Sequence, residues 1–196
     1  MQILRATAYR RMPWRNGGGE TIEMAVSPAG ASFDTFDWRL SMAHVGASGP
    51  FSLFPDTDRT LSVIAGNGLT LKLPDRDVTL DRKTAPFAFP GDVTVDSTLV
   101  DGPIDDLNVM TRRTRCHHRV QRRHLAVSTT LALSGEIAVL VAIGGGVEVV
   151  AGSQAVTLDS KDALALKVGD ISTLTATPQG TPQGTVDLFV VEIAFE

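Results

Sequence analysis

Three short, mostly apolar segments of the sequence carry polar side chains at alternate positions. Because successive side chains of a β-strand point to opposite faces, the polar residues of each segment would share one face. Such a face is either exposed sheet surface or the polar lining of a small barrel cavity. The residues at these alternate positions are Thr21 and Glu23 in TIEMAV, Arg39 and Ser41 in DWRLSMA, and Asp106, Asn108 and Met110 in DLNVM.

An arginine follows two aromatic residues in the segment GPFSLFPDTDRTL. Phe51 and Phe54 could close over a small flat ligand, while the guanidinium of Arg59 binds its carboxylate in a bidentate manner. The alternative is a loop in which the rings cap the core and Asp58 and Arg59 form a surface ion pair.

Three consecutive glycines follow a Trp-Arg-Asn cluster in MPWRNGGGETIEMAV. Glycine is costly to order, so a run of glycines marks backbone with unusual dihedrals or backbone close to something bulky. We interpret this run as one wall of a binding site rather than as a flexible loop. The glycines would let the cluster fold over a barrel mouth and bring backbone N–H groups near an anion. The candidate binding residues of this segment are Trp14, Arg15, Asn16, Gly17, Gly18, Glu20 and Glu23.

Familiar catalytic and metal-binding motifs are absent from the sequence. There is no Gly-x-Ser-x-Gly elbow, and RNGGGET lacks the Gly-Lys-Ser/Thr ending of a phosphate loop. None of the four histidines forms a His-x-His pair with a downstream carboxylate. Cys116, with His117, His118 and His124, could make an adventitious zinc site, but the arginines around them would repel a cation. We expect surface histidines in a basic segment, no metal and no cofactor.

The composition is that of an ordinary globular protein. The chain has 196 residues, 43% hydrophobic and 20% charged, with a net charge of -4. This balance does not favour a nucleic-acid-binding protein, and no apolar run approaches the roughly 20 residues that span a bilayer. The first residues, MQILRATAYRR, lack the apolar region of a secretory signal. With Cys116 as the only cysteine, we expect a cytoplasmic protein without disulfides.

An internal repeat runs through the middle of the chain. Residues 63–92 align without gaps on residues 141–170 at a constant offset of 78, with 11 of 30 positions identical, including VTLDRK against VTLDSK. Glycines fall at the same turn positions in both copies, among them Gly91-Asp92 and Gly169-Asp170. The repeat predicts two structurally equivalent halves.

Short alternating segments, separated by glycine-rich turns, favour strands over helices throughout the sequence. Many short strands in a duplicated unit predict an all-β protein of the sandwich or barrel type. Further strands are predicted at residues 21–26, 38–45, 93–95, 107–110, 129–133, 137–143 and 186–195.

One strongly basic segment, residues 112–124, lies between the halves. It holds six arginines and three histidines and no acidic residue. It could be a solvated linker, or its arginines could pair with acidic residues of a lobe or of a second subunit. A nucleic-acid arm is a weaker alternative, because such arms normally sit in basic domains.

Four ordered motifs, PWRNGGGET, FDWRLSMAHV, GPFSLFPDTDRTLSVIAGNGL and DLNVM, resemble the HutD/Ves family. The resemblance covers roughly residues 3–113. It implies a bicupin: two double-stranded β-helix, jelly-roll-like barrels related by internal duplication. We expect the N-terminal lobe in residues 1–115, carrying the family motifs, and a structural C-terminal lobe in residues 116–196, packed closely as one unit.

The sequence departs from the metal-binding pattern of cupins. Where cupins offer histidines, the segment after Gly49 offers Phe54, Pro55, Asp58 and Arg59, and no histidine follows Gly91-Asp92 before the basic segment. A metal-free binding barrel is the simpler interpretation.

The association of the family with bacterial histidine utilisation implies a small anionic metabolite as partner. Urocanate or a formylated glutamate are candidates, bound by Arg39, Arg59 and Asn108, so that the protein modulates the pathway. The alternative is a metal-independent cupin enzyme acting on a small carboxylate or sugar-like substrate, with Glu20 or Glu23 as general base. A third hypothesis is a protein-interaction module using the basic segment. We expect no nucleic-acid or membrane partner, and a homodimer is left open.

Overall fold

Strands dominate the computed structural model, which describes residues 1–169, 171–180 and 186–196. The helical structure described in these ranges is one 3-10 turn at Ala6–Ala8, and none of it is long and apolar enough to cross a membrane. The predicted all-β class is confirmed. The strands are β1 (Gln2–Leu4), β2 (Arg10–Pro13), β3 (Gly19–Ser27), β4 (Trp38–Val45), β5 (Gly49–Pro50), β6 (Thr57–Ala65), β7 (Leu69–Lys72), β8 (Asp77–Leu80), β9 (Phe87–Pro90), β10 (Asp96–Leu99), β11 (Ile104–Arg112), β12 (Cys116–Leu125), β13 (Thr129–Ala132), β14 (Ile137–Ile143), β15 (Gly146–Ala151), β16 (Gln154–Leu158), β17 (Ala163–Lys167), β18 (Thr173–Gln179) and β19 (Val186–Phe195).

The described residues divide into two compact units. The N-terminal unit is Arg10–His117, and the C-terminal unit combines Met1–Tyr9 with His118–Glu196. The first residues join the C-terminal unit because β1 pairs with β17, with Ile3 opposite Leu164. The domain boundary predicted at residue 115 stays a prediction, and the structural division differs from it at these first nine residues.

Two sheets build the N-terminal unit. One has the strand order β2-β3-β4-β11-β6-β9 and the other the order β5-β10-β7-β8. Leu61 and Val63 of the first sheet pack with Leu69 and Leu71 of the second in one buried cluster. Their alternation along each strand places them on the facing surfaces of the two sheets, and burying these surfaces together stabilises the barrel.

The C-terminal unit repeats this arrangement. Its sheets have the orders β1-β17-β14-β19-β12 and β13-β18-β15-β16. Leu140 and Leu188 of the first sheet pack with Val147 and Leu158 of the second. Strand β14 is apolar on both faces. Val139 and Leu140, which point to opposite faces of the sheet, are equally buried.

The strand orders of the two units correspond. The order β9-β6-β11-β4 matches β17-β14-β19-β12, and β5-β10-β7-β8 matches β13-β18-β15-β16. The correspondence agrees with the 78-residue offset of the sequence repeat, which carries β8 onto β16. The second repeat ends at the turn predicted at Gly169-Asp170. Asp170 lies outside the described residues.

Two sequence predictions of local structure were wrong. Residues 93–95 do not form a strand; the strand begins at Asp96, and the carbonyl of the buried Val95 just before it accepts a hydrogen bond from the amide of Phe51. Of the two interpretations of the basic segment, the solvated linker is wrong, because the segment contains most of β12. Its strand character was hidden because the segment has almost no alternation of apolar and polar residues.

Candidate functional site

Two arginines flank one residue of the central strand in the N-terminal unit. Met110 of β11 lies opposite Arg39 of β4 on one side and opposite Arg59 of β6 on the other. Strand neighbours lie about 4.8 Å apart, so this row crosses three strands on one sheet face. The predicted face of Arg39 and Ser41 and the predicted face of Asn108 and Met110 therefore form one surface.

Arg39 is buried and only partly neutralised by its neighbours. Its side chain is 4% exposed, and its Nε donates to Glu23 Oε2 at 2.8 Å. Nη1 donates to Ser41 Oγ at 3.3 Å, whereas Nη2 has no hydrogen-bond partner among the described residues. The guanidinium carbon lies 4.8 Å from the centre of the Phe33 ring. The two N–H donors of Nη2 are therefore left for another molecule.

Arg59 is enclosed by aromatic rings. Its guanidinium carbon lies 5.0 Å from the ring centre of Phe51, 5.4 Å from that of Phe54 and 5.1 Å from that of Phe89. Such contacts stabilise a cation but do not neutralise it. Nη1 makes one long hydrogen bond of 3.4 Å to the carbonyl of Ser52, and Nε has no partner in the described part of the chain. Burial lowers the pKa of Arg59 to about 10, so it remains cationic at neutral pH.

Two acceptors lie further along β11 on the same face. Asn108 stands opposite Ser41 and Leu61, and Asp106 stands opposite Ala43 and Val63. Oδ1 of Asn108 and Oδ1 of Asp106 are buried and find no hydrogen-bond partner within the described residues. A buried acceptor without a partner is unusual in a native protein and requires an explanation.

The pKa of Asp106 is strongly shifted by the surroundings of its carboxyl group in this unit. It is 1% exposed, and burial raises its pKa to about 7, although the charge of Arg59 and a backbone hydrogen bond at Ala43 lower it. The adjacent Asp105 raises it further. At neutral pH this carboxyl is therefore close to the midpoint of its titration.

These side chains line a cavity of about 650 Å³ within the N-terminal unit. Its volume lies in the range of sites for small molecules. Most of the predicted site residues line it. They are Trp14, Arg15, Asn16 and Gly18 of the glycine-rich segment, Phe51 and Phe54 of the aromatic segment, and Arg39, Ser41, Arg59, Asn108 and Met110 of the strands.

Three predicted residues do not line the cavity: Gly17, Glu20 and Glu23. Glu20 accepts a hydrogen bond from Arg11, and Glu23 accepts one from Arg39. Strand alternation explains the position of Glu20, which points away from the face of Thr21. Neither glutamate is therefore placed as a general base in the cavity.

Asp106 was placed on the polar face of DLNVM but not named as a binding residue, and Phe33 was not considered, although both line the cavity. Asp106 shares the alternation of Asn108 and Met110, and this signal was sufficient to include it. Phe33 lies outside any strand, and no pattern in the sequence indicates its contact with Arg39.

The glycine-rich segment packs tightly against β4. A Cβ atom at Gly19 would lie 2.2 Å from the carbonyl oxygen of His44 and 3.0 Å from the Trp14 ring. The amide of Gly17 donates to the carbonyl of Trp14, and that of Gly18 donates to Asn16 Oδ1. These two N–H groups are therefore engaged within the loop rather than directed at an anion. Gly19 serves close packing against β4, whereas Gly17 adopts a positive φ of 70° in the turn, and Trp14 and Asn16 of this segment line the cavity.

The arginines of the basic segment pair with groups of the protein. Arg113 donates to Asp58 and Asp92, and these hydrogen bonds raise its pKa and lower that of Asp92. Arg122 donates to Asp187 in the C-terminal unit. Because Asp58 pairs with Arg113, the alternative of a surface ion pair between Asp58 and Arg59 is wrong.

The cavity does not fit the metal centre typical of cupins. Two guanidinium groups face one carboxyl, a donor set that repels a cation rather than binding it. Across the described residues, no three His, Cys, Asp or Glu side chains converge on one point. The thiol of Cys116 donates to the carbonyl of Asp37, and His124 contacts Asp187.

Several known proteins are similar to this chain over much of its length. It is 36% identical over 154 residues to an uncharacterized 21.2 kDa protein in the hutC 3' region of Pseudomonas putida, covering 74% of this chain and 79% of that protein. It is 40% identical over 116 residues to Protein Ves of Citrobacter koseri, covering 57% of this chain. This second match spans only 60% of the Ves protein.

Two solved structures are also similar to this chain over nearly its whole length. A conserved protein of unknown function from Pseudomonas aeruginosa superposes with a TM-score of 0.88 at 32% identity, covering 98% of each chain. HutD from Pseudomonas fluorescens, solved in a formate condition, superposes with a TM-score of 0.82 at 30% identity, covering 100% of this chain and 98% of that one.

A more distant likeness concerns the fold alone. Oxalate decarboxylase from Lactobacillus farciminis, a bicupin, superposes with a TM-score of 0.68 at 8% identity, covering 100% of this chain and 86% of that one. This likeness confirms the predicted bicupin fold. The model of the HutD family matches residues 6–183, and the chain belongs to the HutD family.

Proposed function

We propose that this protein binds a small carboxylate metabolite in the cavity of its N-terminal unit, without a metal, and thereby modulates bacterial histidine utilisation. The observation that carries the proposal is the pair of buried cations. Arg39 and Arg59 are 3% and 5% exposed, and each keeps a buried nitrogen without a partner in the described residues. A carboxylate supplies the acceptors that both groups lack and adds negative charge beside Arg59, which has no ion pair of its own among the described residues.

The walls of the cavity agree with a ligand of this kind. Phe51 and Phe54 contact the guanidinium of Arg59, and Trp14 and Met110 add further apolar surface. A site with a few polar groups on an otherwise apolar wall suits a small molecule with a flat or apolar body. Urocanate and a formylated glutamate both fit this description.

The pathway assignment is supported by relatives rather than by the site. One relative is named for its position in the hutC 3' region, and a structural neighbour is HutD itself. Membership of the same family extends the association with histidine utilisation to this chain. A cytoplasmic location stays a prediction.

Isothermal titration calorimetry with urocanate and N-formyl-L-glutamate tests the proposal. We expect heat of binding from at least one compound and a loss of affinity of roughly tenfold or more in Arg59→Met, because a hydrogen-bonded charge pair is lost. Methionine keeps the apolar contacts with the phenyl rings, so the fold should persist.

Arg76→Met is the matched control, because Arg76 is exposed and pairs with Asp75 outside the cavity. It should leave the affinity unchanged. Absence of heat with both compounds, or equal affinity in Arg59→Met, would contradict the proposal.

A second candidate function is a metal-independent enzyme acting on the same class of ligand. The observation that favours it is Asp106, whose pKa of about 7 suits a general base at neutral pH. If the protein is an enzyme, the bound carboxylate should turn over, and Asp106→Asn should abolish turnover while binding persists. Binding without turnover in the wild type would remove this candidate.

A further inference from the structure

Two buried acceptors of the cavity are left over after a carboxylate has been bound. Asp106 Oδ1 and Asn108 Oδ1 have no hydrogen-bond partner in the described part of the chain, and their side chains are 1% and 7% exposed. A carboxylate offers no donor, so it cannot satisfy the amide oxygen of Asn108 or Asp106 in its ionised state. The cavity therefore combines unpaired donors with unpaired acceptors.

The two kinds of group are separated along the sheet. Met110 marks the row of the two arginines, and Asn108 and Asp106 follow two and four residues away on the same face of β11. At about 3.4 Å per residue, Asn108 lies roughly 7 Å and Asp106 roughly 14 Å along the strand from that row at the backbone. The guanidinium of Arg39 reaches towards the row of Asn108, because its Nη1 donates to Ser41, which lies opposite Asn108, and the charge of Arg59 is near enough to act on Asp106. One small molecule can therefore meet both kinds of group.

We infer that the cavity selects carboxylates that also carry a neutral hydrogen-bond donor, which Asn108 and Asp106 accept while Arg39 and Arg59 bind the carboxylate. This inference rests on the proposed function and names the ligand class of that site. The donor is an N–H or O–H group one small ring or one short chain away from the carboxylate.

Charge explains why the donor is neutral. Arg39 and Arg59 outnumber the one carboxyl among the described residues that lines the cavity, Asp106, so a cationic ligand group would be repelled on balance. A second carboxylate near Asp106 would be repelled by that carboxyl in its ionised state. An amide, an imidazole N–H or a hydroxyl group avoids both penalties and pairs the acceptors. A ligand without a donor leaves both acceptors buried and unpaired.

Matched ligands isolate the donor. Urocanate and cinnamate share the propenoate group and differ in the ring, imidazole with an N–H against phenyl without one. N-formyl-L-glutamate and its N-methyl derivative differ in the amide N–H. By calorimetry on the wild-type protein, the member with the donor should bind roughly tenfold tighter or better in at least one pair.

Two variants test whether Asp106 and Asn108 cause the preference for a ligand with a hydrogen-bond donor. In Asp106→Leu or Asn108→Leu, the ratio of affinities within the discriminating pair should fall towards one, while the compound without a donor still binds. Leucine replaces a buried polar group by an apolar one of similar size, so the fold should survive. Using both variants keeps the test valid if one of them is unstable. Asp75→Leu, at an exposed position, is the control and should leave the ratio unchanged.

The outcomes separate this inference from the proposed function. If carboxylates bind through Arg59 but neither pair shows a preference, or if the preference survives both leucine variants, this inference is wrong and the proposed function stands. If none of the four compounds binds, the proposed function fails and this inference fails with it.

Discussion

Arg39 and Arg59 hold different kinds of position in the same cavity. Arg39 is fixed by Glu23 and Ser41, whereas Arg59 is surrounded by phenyl rings and has one long hydrogen bond. Arg59 therefore keeps more of its charge available than Arg39. The alternation of the sequence placed Arg39 and Ser41 on the correct face, but not their partners, because hydrogen-bond partners depend on the packing of distant loops.

Asp106 should make folding stability depend on pH. Its pKa is raised by burial from the ordinary value to about 7, so between these values the folded state holds a proton that the unfolded state releases. Stability from this group is therefore lost as the pH rises from about 4 to about 7. Asp106→Asn should remove that part of the pH dependence, measured as the free energy of urea unfolding across this range.

Asp75→Asn, at an exposed position, should keep the pH dependence of the wild type. If the wild type and Asp106→Asn lose stability in parallel between pH 4 and 7, Asp106 does not titrate as the structure indicates.

The glycine-rich segment shows how one element shapes the site through packing. Gly19 is the first residue of β3 and pairs with Val45, the last residue of β4. The Trp14–Gly18 loop, which precedes Gly19, therefore lies at that end of the sheet. The side chain of Trp14 is held by a hydrogen bond from its Nε1 to Thr21 Oγ1 at 2.8 Å. The sequence predicted the loop as a wall of the site but assigned its glycines to anion binding, because close packing of a carbonyl is not visible in sequence.

Gly19→Ala should destabilise the N-terminal unit. The new methyl group would collide with the carbonyl oxygen of His44, which is backbone and cannot move alone. We expect a loss of roughly 1–3 kcal/mol in the free energy of unfolding, measured by denaturant titration. Gly49→Ala is the control, because a Cβ there meets no described atom within 4 Å. Equal stability of the two variants would show that the close approach is not maintained in solution.

The strand elements were easiest to predict where one face is apolar. Residues 38–45, 137–143 and 186–195 match β4, β14 and β19. The strand β12 was missed because its arginines and histidines give no alternation, although Arg113, just before it, and Arg122 within it pair with acidic residues. Pairing of this kind becomes visible only when the fold brings distant residues together.

At the scale of the whole molecule, the internal repeat predicted two structurally equivalent halves, and the corresponding strand orders agree with it. It did not predict that Met1–Tyr9 belongs to the C-terminal unit, because β1 lies outside the repeat. This segment also supplies partners for Asp162, which accepts hydrogen bonds from Arg5 Nη1 and from the amide of Ala6. Asp162 is 4% exposed, and these hydrogen bonds contribute to the lowering of its pKa.

Removing residues 1–9 should therefore loosen the C-terminal unit selectively. The edge of β17 loses its partner strand, and Asp162 loses two of its hydrogen bonds. Hydrogen exchange should become faster in β17 and β14, with little change in β4 and β11 of the N-terminal unit. An equal increase in both units would contradict the assignment of this segment.

The most direct test of the binding site is a crystal structure of the protein soaked with urocanate or N-formyl-L-glutamate. We expect a ligand in the cavity of the N-terminal unit, with a carboxylate oxygen within hydrogen-bonding distance of the guanidinium of Arg39 or Arg59. Water alone in that cavity at saturating ligand, or a carboxylate bound away from both arginines, would contradict it.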